Sequence, residues 1–335
     1  MNPPMILSET LLRQTRLHFP RFEEGQIKIS PIEKGGSGRR FYRIQFSPGQ
    51  TIVLVKYTRE QAENQRYVEI ANFLVAHDVR APKIHFHDPE EGLIWLEDLG
   101  ERDLCSHREE SWSVRRVYYE SALEEAARLH SISAVESEEI RSSLPSQFDA
   151  ALYLWEQYYF FENCLGRRFG VTQAGLQTLS ELAALKEIAQ RLASFPRVLV
   201  HRDFQSQNII VRDGHSYLID FQGMRPGLAE YDVASLLYDP YVGLTAGERS
   251  ELLEFYRQAA GISESAFDEN FRLCAMQRLM QALGAYGYLG LAKGNSAFLN
   301  HIPPALQSLG EILDGIEGVT PLREMVRGFA HDARE

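Results

Sequence analysis

The scarcities in this sequence narrow its function before any motif is read. Three cysteines, Cys105, Cys164 and Cys274, are odd in number and widely scattered. No C-x-x-C spacing occurs, so neither a disulfide framework nor a zinc site is expected, and reduced thiols in a cytosol are the simple reading. No run approaches the roughly 18 consecutive apolar residues of a membrane span. The opening MNPPMILSETLLRQTRLHF has no basic segment leading into an apolar one, so a signal peptide is not expected either. Positive charge is also in short supply, with 35 basic against 46 acidic side chains and a formal net charge of −11. A nucleic-acid partner would want a basic face, and a polybasic membrane anchor would want a basic run. Internal repeats, low-complexity tracts and long linkers are missing as well. The expectation is a cytoplasmic protein with no nucleic acid and no membrane among its partners. Nothing in the sequence fixes an oligomeric state, and a monomer is the default.

The composition that remains, 44% hydrophobic and 24% charged, is that of an ordinary globular chain. Its 335 residues exceed the roughly 250–300 at which single cores tend to divide, so two lobes are expected. The acidity is uneven: 13 basic and 13 acidic residues precede Gly100, and 22 and 33 follow. The first hundred residues read as strands at 41–44, 51–55, 84–86 and 93–96, separated by Ser47-Pro48-Gly49 and by Asp88-Pro89 through Gly92. One helix interrupts them, with Glu63, Tyr67, Ile70 and Leu74 on a shared face. Beyond residue 100 the pattern is mainly helical, at 111–131, 149–165, 173–194, 247–260, 266–291, 304–316 and 320–332. A β island lies among these helices, at 198–200, 209–211 and 217–219, with a turn signal at Asp213-Gly214. The fold class is therefore α+β and bilobal: a small β-rich N-terminal lobe, 1–98, and a larger, mainly helical C-terminal lobe, 99–335.

The β island carries the strongest chemical signal. His201-Arg202-Asp203-Phe204-Gln205-Ser206-Gln207-Asn208 is followed, twelve residues after Asn208, by Asp220-Phe221-Gln222. Asp203 and Asn208 would share a loop between two strands, and the Asp213-Gly214 turn would return Asp220 beside Asn208. An amide oxygen and a carboxylate so placed suit Mg²⁺, which prefers oxygen ligands. Asp203 would then be available to accept a proton from a substrate hydroxyl.

These elements resemble the H-R-D-x-x-x-x-N and D-F-G segments of the protein-kinase-like superfamily, with Gln222 in place of glycine. Earlier segments fall in the matching order. Lys34-Gly35-Gly36-Ser37-Gly38 resembles the phosphate-covering glycine loop, and Lys56, ending Val53-Leu54-Val55, resembles the phosphate-holding lysine. Glu63 would pair with Lys56, with Glu69 as the other candidate, and Trp95 through Gly100 would form a hinge whose Glu97 and Leu99 backbone groups meet adenine. The resemblance thus implies ATP and Mg²⁺ as cofactors.

Asp232 lies only twelve positions after Asp220, too few for the peptide platform of a protein kinase, and no A-P-E follows. Tyr231-Asp232-Val233-Ala234-Ser235-Leu236 resembles the aminoglycoside phosphotransferase and choline kinase family, where the aspartate at Asp232 braces the catalytic loop. Glu97 through Gly100, Ala81-Pro82, Asp220-Phe221-Gln222 and Tyr231 through Asp239 resemble its bacterial cell-wall amino-sugar kinases. That resemblance implies a small-molecule acceptor, an amino sugar phosphorylated at its anomeric hydroxyl. The alternatives are another small alcohol, such as an aminoglycoside, homoserine, choline or methylthioribose, or a nucleotide-binding pseudokinase. The acidic C-terminal lobe suits a cationic acceptor on charge alone, while Arg225 and the aromatics at 153–161 are candidates for contacting a carboxylate and a sugar face.

Overall fold

The computed structural model describes residues 3–20, 27–32, 39–47 and 49–332. It divides into two compact units, one of 1–101 with 217–222, the other of 102–216 with 223–335. A β-sheet-rich N-terminal region followed by a helical C-terminal part is the expected mixed architecture.

Unit one contains α1 (Pro3–His18), β1 (Lys28–Ile32), β2 (Arg40–Ser47), β3 (Gln50–Lys56), α2 (Ala62–Ala76), β4 (Ile84–Asp88) and β5 (Leu93–Glu97). The strands form one antiparallel sheet in the order β1-β2-β3-β5-β4. In β2 the apolar residues alternate, so Tyr42, Ile44 and Phe46 face one side and are buried there. Ile52 and Leu54 of β3 join them, with Leu93 and Trp95, Leu11 of α1 and Ile27. Trp95 also donates its indole N–H to Thr15 Oγ1 at 2.9 Å, and Thr15 donates in turn to the Leu11 carbonyl at 2.8 Å. Neither α1 nor β1 is expected from the pattern. Pro31 demotes the β1 segment because proline cannot serve an interior ladder, and β1 is indeed an edge strand.

Unit two holds α3 (Trp112–Ser131), α4 (Glu138–Ser143), α5 (Ala150–Phe160), α6 (Arg167–Phe169), α7 (Gln173–Ser180) and α8 (Ala183–Ser194), then β6 (Val198–Val200) and β7 (Ile209–Arg212). The Asp213-Gly214 turn, both residues at positive φ, leads into β8 (His215–Leu218), which runs on into the 217–222 segment. After that segment come β9 (Arg225–Gly227), α9 (Ala229–Leu237), α10 (Ala246–Ala260), α11 (Glu264–Gly287), α12 (Ile302–Leu313) and α13 (Thr320–Asp332). α11 packs against α5, α9 and α12.

The sequence reads 173–194 as one helix, yet the chain breaks at Glu181-Leu182, where Leu182 leaves the helical conformation at φ −57°, ψ 119°. No glycine or proline marks that break, so the apolar spacing runs through it. α5 and α11 each continue into a π turn, at Phe161–Gly166 and Tyr288–Ala292. They approach so closely that a Cβ on Gly287 would lie 2.2 Å from the Asn163 carbonyl oxygen, which only glycine permits. The three cysteines are buried and free. Among the described residues, no helix is long and apolar enough to cross a membrane.

Candidate functional site

In unit two, β6 delivers the chain into the 201–208 loop, and the loop is held from beneath by buried carboxylates. Asp232, in the first turn of α9, is fully buried and accepts the His201 amide at 2.6 Å and the Arg202 amide at 2.8 Å. His130 Nε2 lies 3.2 Å from the same carboxylate, and its Nδ1 is bonded to the Tyr256 hydroxyl. Asp232 thus has the bracing role that the resemblance implies. Asp239 does the same further along, accepting the Ser206 and Tyr241 amides. These bonds stabilise an unusual backbone: Arg202 sits at φ +77°, a conformation that costs a non-glycine residue about 1 kcal/mol or more.

Asp203 emerges from this braced loop with a third of its side chain exposed. Burial pushes its pKa up, but Arg202, Arg278, His201 and Arg225 together outweigh that effect and hold it below the ordinary carboxylate value. Both oxygens face loose ion partners, Arg202 Nη1 and Arg278 Nη2, each at 3.9 Å. Asp203 is therefore a carboxylate at neutral pH and able to accept a hydroxyl proton. Its carbonyl receives the Asn208 side-chain amide N–H at 2.9 Å. With its NH₂ so engaged, Asn208 has its amide oxygen left to offer a cation.

The charge around Asp203 is the reverse of the lobe's average. Three arginines and His201 surround it, and the acidic neighbour, Glu156 on α5, is 1% exposed. Burial lifts Glu156 to about 7, against the opposing effects of the Tyr231 hydroxyl bond (2.7 Å) and the cations Arg202 and Arg278. The acidic composition of residues beyond Gly100 lies largely elsewhere, so it is no guide to the acceptor. Of the aromatics at 153–161, Tyr153, Phe160 and Phe161 are buried in the core, whereas Trp155 and Tyr158 are exposed.

In unit one, Asp220 sits at φ +62° and is 41% exposed at its side chain. Its Oδ1 accepts Arg39 Nη2 at 2.5 Å and Gln222 Nε2 at 3.0 Å, and Gln222 Oε1 accepts Arg39 Nη1 at 2.9 Å. Gln222, where the resembling motif has glycine, closes this three-membered clamp. The Arg39 guanidinium is also 5.8 Å from the ring centroids of Phe41 and Tyr67, and Tyr67 stacks on Phe221. The sequence does not single out Arg39, because a contact spanning 181 residues leaves no local signal.

The remaining candidates divide. Lys56 ends β3, opposite Arg40 in the register, and has no ion-pair partner among the described residues. Glu63 does not share the buried face: Tyr67, Ile70 and Leu74 are buried, whereas Glu63 is exposed in the first turn of α2, as is Glu69 in its third. A carboxylate in a first helical turn is favoured there by the helix dipole, which needs no lysine partner. Asn64 takes the buried position, bonding the Thr58 carbonyl and Gln61. Gly35, Gly36, Ser37 and Gly38 lie outside the described residues. In the 95–100 segment, Arg43 grips Asp98 through two bonds, at 2.6 and 3.0 Å, and Asp98 Oδ1 accepts the Gly100 amide. Burial raises the Asp98 pKa, and Arg43 with the Gly100 amide more than reverses it. The Glu97 amide donates to the Lys83 carbonyl, so it is committed within unit one. Leu99 is buried, and its amide has no backbone partner among the described residues.

The chain is 26% identical over 318 residues to an N-acetylmuramate/N-acetylglucosamine kinase of Pseudomonas putida, covering 91% of this chain and 89% of that one. Its fold is similar to that of the ADP-bound aminoglycoside phosphotransferase APH(2'')-Ib, with a TM-score of 0.61 at 15% identity, over 89% of this chain and 98% of that one. It is similar as well to a choline/ethanolamine kinase family protein from Mesorhizobium loti, with a TM-score of 0.62 at 14% identity, over 95% and 99% of the two chains. Residues 28–269, most of the chain, match the phosphotransferase enzyme family (APH), and the chain belongs to that family as a phosphotransferase enzyme.

Proposed function

We propose that this enzyme transfers the γ-phosphoryl group of ATP to the anomeric hydroxyl of an amino sugar, N-acetylmuramate or N-acetylglucosamine. The observation that carries this reading is the relative of that name, matched along nine-tenths of the chain. The surroundings of Asp203 support it from a different direction. Arg202, Arg225 and Arg278 repel a polycation such as an aminoglycoside and tolerate a neutral or anionic sugar. A kinase of this kind would work in the cytoplasm, as a monomer, with no further partner.

In this reading Asp203 accepts the hydrogen bond of the attacking hydroxyl and takes its proton as the oxygen bonds to the γ-phosphorus and the bond from that phosphorus to the departing ADP breaks. Asp232 contributes by fixing the loop backbone, so that little reorganisation remains when the acceptor arrives. Lys56 is assigned to neutralise nucleotide phosphate charge, with Gly35, Gly36, Ser37 and Gly38 as its proposed companions. The Leu99 amide, with no backbone partner among the described residues, and the Glu97 carbonyl are assigned to adenine. Asn208, through its amide oxygen, and Asp220, through a carboxylate anchored by Arg39 and Gln222, fit Mg²⁺ by donor type. When bound, Mg²⁺ supplies charge neutralisation to the phosphates.

The test separates binding from turnover. Asp203→Asn should lower kcat by about 10³-fold or more while ADP affinity, read by calorimetry, stays within about threefold. Asp220→Ala should weaken Mg²⁺-dependent nucleotide binding itself. An Asp203→Asn variant with wild-type turnover would refute the assignment.

A further inference from the structure

Within unit two, one cation beside Asp203 lacks the anion that its burial demands. Arg225 begins β9 and lies opposite Val200 in the antiparallel register, one residue before the 201–208 loop. Its strand is pinned: the Pro226 carbonyl accepts the Phe148 amide at 2.9 Å, and a Cβ on Gly227 would be 2.7 Å from a Val200 methyl. The Arg225 guanidinium lies over the Phe148 ring at 5.6 Å, and its Nε makes one long bond, 3.4 Å, to the Gly223 carbonyl. It is half-buried, and among the described residues it forms no ion pair. Its charged neighbours do not compensate. Burial is the larger and Arg202 the next influence weakening its hold on its proton, with Asp203 and Glu156 acting in the opposite sense. Asp203 already faces Arg202 and Arg278. A rigidly placed guanidinium with spare fork donors, next to the catalytic loop, is suited to a planar carboxylate brought by a ligand.

We propose that Arg225 binds the carboxylate of the acceptor, so that the enzyme selects a lactyl-ether amino sugar over the same sugar without the acid. This rests on the function proposed above. N-acetylmuramate carries that acid and N-acetylglucosamine does not. Arg225 is then the residue that separates the two substrates, while Asp203 acts identically on both.

The experiment compares kcat/KM for the two sugars and for the methyl ester of N-acetylmuramate. In the wild-type enzyme the free acid should exceed the ester by about tenfold or more, a comparison needing no variant. Arg225→Met, which keeps a long apolar stem over Phe148, should lower the N-acetylmuramate to N-acetylglucosamine ratio by about tenfold, and Arg225→Lys should recover part of it. Equal use of acid and ester, or a loss in Arg225→Met that is the same for both sugars, would overturn the proposal; the second result would point to phosphate contact or support of the loop. Turnover of neither sugar would overturn the acceptor assignment and this proposal together, whereas turnover of both at an unchanged ratio would overturn the proposal alone.

Discussion

Replacing Glu156 with glutamine should make the protein less sensitive to alkaline pH, and the size of the effect follows from where Glu156 lies. The side chain is almost wholly buried, and Tyr231 donates to Oε1 at 2.7 Å. Oε2 is buried with no hydrogen-bond partner. Burial lifts the group from an ordinary 4.5 to about 7. Between those values the folded protein binds a proton that the unfolded chain has released, so stability falls as pH rises through this window. The contribution is fully present below about 4.5 and gone above about 7, and the difference of about 2.5 units corresponds to about 3 kcal/mol. Glutamine keeps an oxygen for Tyr231 and never ionises. Urea denaturation of both proteins at pH 5 and pH 8 should therefore show the variant gaining on wild type by about 3 kcal/mol between the two conditions. At pH 5 it should equal the parent or fall slightly below it, because an amide at the Oε2 position is as poorly served as the acid. A stability difference that does not move with pH, or one that moves the other way, would refute the burial argument.

Three further perturbations test separate links. Asp232→Asn keeps the side-chain volume but turns an amide toward backbone N–H donors, so about 2–4 kcal/mol of stability should be lost, with turnover falling alongside it. A denaturation midpoint unchanged from wild type would contradict the bracing role. Arg39→Gln releases Asp220 from its clamp and should weaken Mg²⁺-dependent ADP binding by about tenfold, measured calorimetrically, while Mg²⁺-free binding changes little. Equal losses with and without Mg²⁺ would argue that Arg39 acts on the nucleotide directly. Gly287→Ala drives a methyl group into the Asn163 carbonyl and should cost about 3 kcal/mol or more, readable as a lowered Tm. An alanine variant as stable as the parent would mean that α5 and α11 are not in register as described.

Most of the architecture was legible because its strands and helices carry their own periodicity. β2, β3 and β5 are short apolar runs bounded by turn residues, and α3, α10, α12 and α13 show clean helical spacing. What escaped reading depends on distant contacts. α1 becomes a structural element through Leu11 and Thr15 docking on Trp95, which no local pattern announces. The π turns at Phe161–Gly166 and Tyr288–Ala292 answer a helix–helix approach visible only in three dimensions. The same division holds at the site. Asp203, Asn208 and Asp220 stand out because their spacing along one loop and turn is itself the signal. Arg39, Glu156 and Arg278 come from separate elements and matter for what surrounds them. Periodicity alone puts Glu63 on the buried face, but in the first turn of α2 the neighbouring Asn64 occupies that face and Glu63 lies exposed beside it.

The proposed reaction is phosphoryl transfer, directed by Asp203, onto the anomeric hydroxyl of an amino sugar. Its most direct test is phosphorus NMR of the products formed from ATP, Mg²⁺ and a panel of acceptors: N-acetylmuramate, N-acetylglucosamine, an aminoglycoside, homoserine, choline and methylthioribose. The expected product is a sugar 1-phosphate, its phosphorus coupled to the anomeric proton, formed from the N-acetylated hexosamines and not formed by Asp203→Asn. A phosphoester on one of the other alcohols, with the hexosamines untouched, would contradict it.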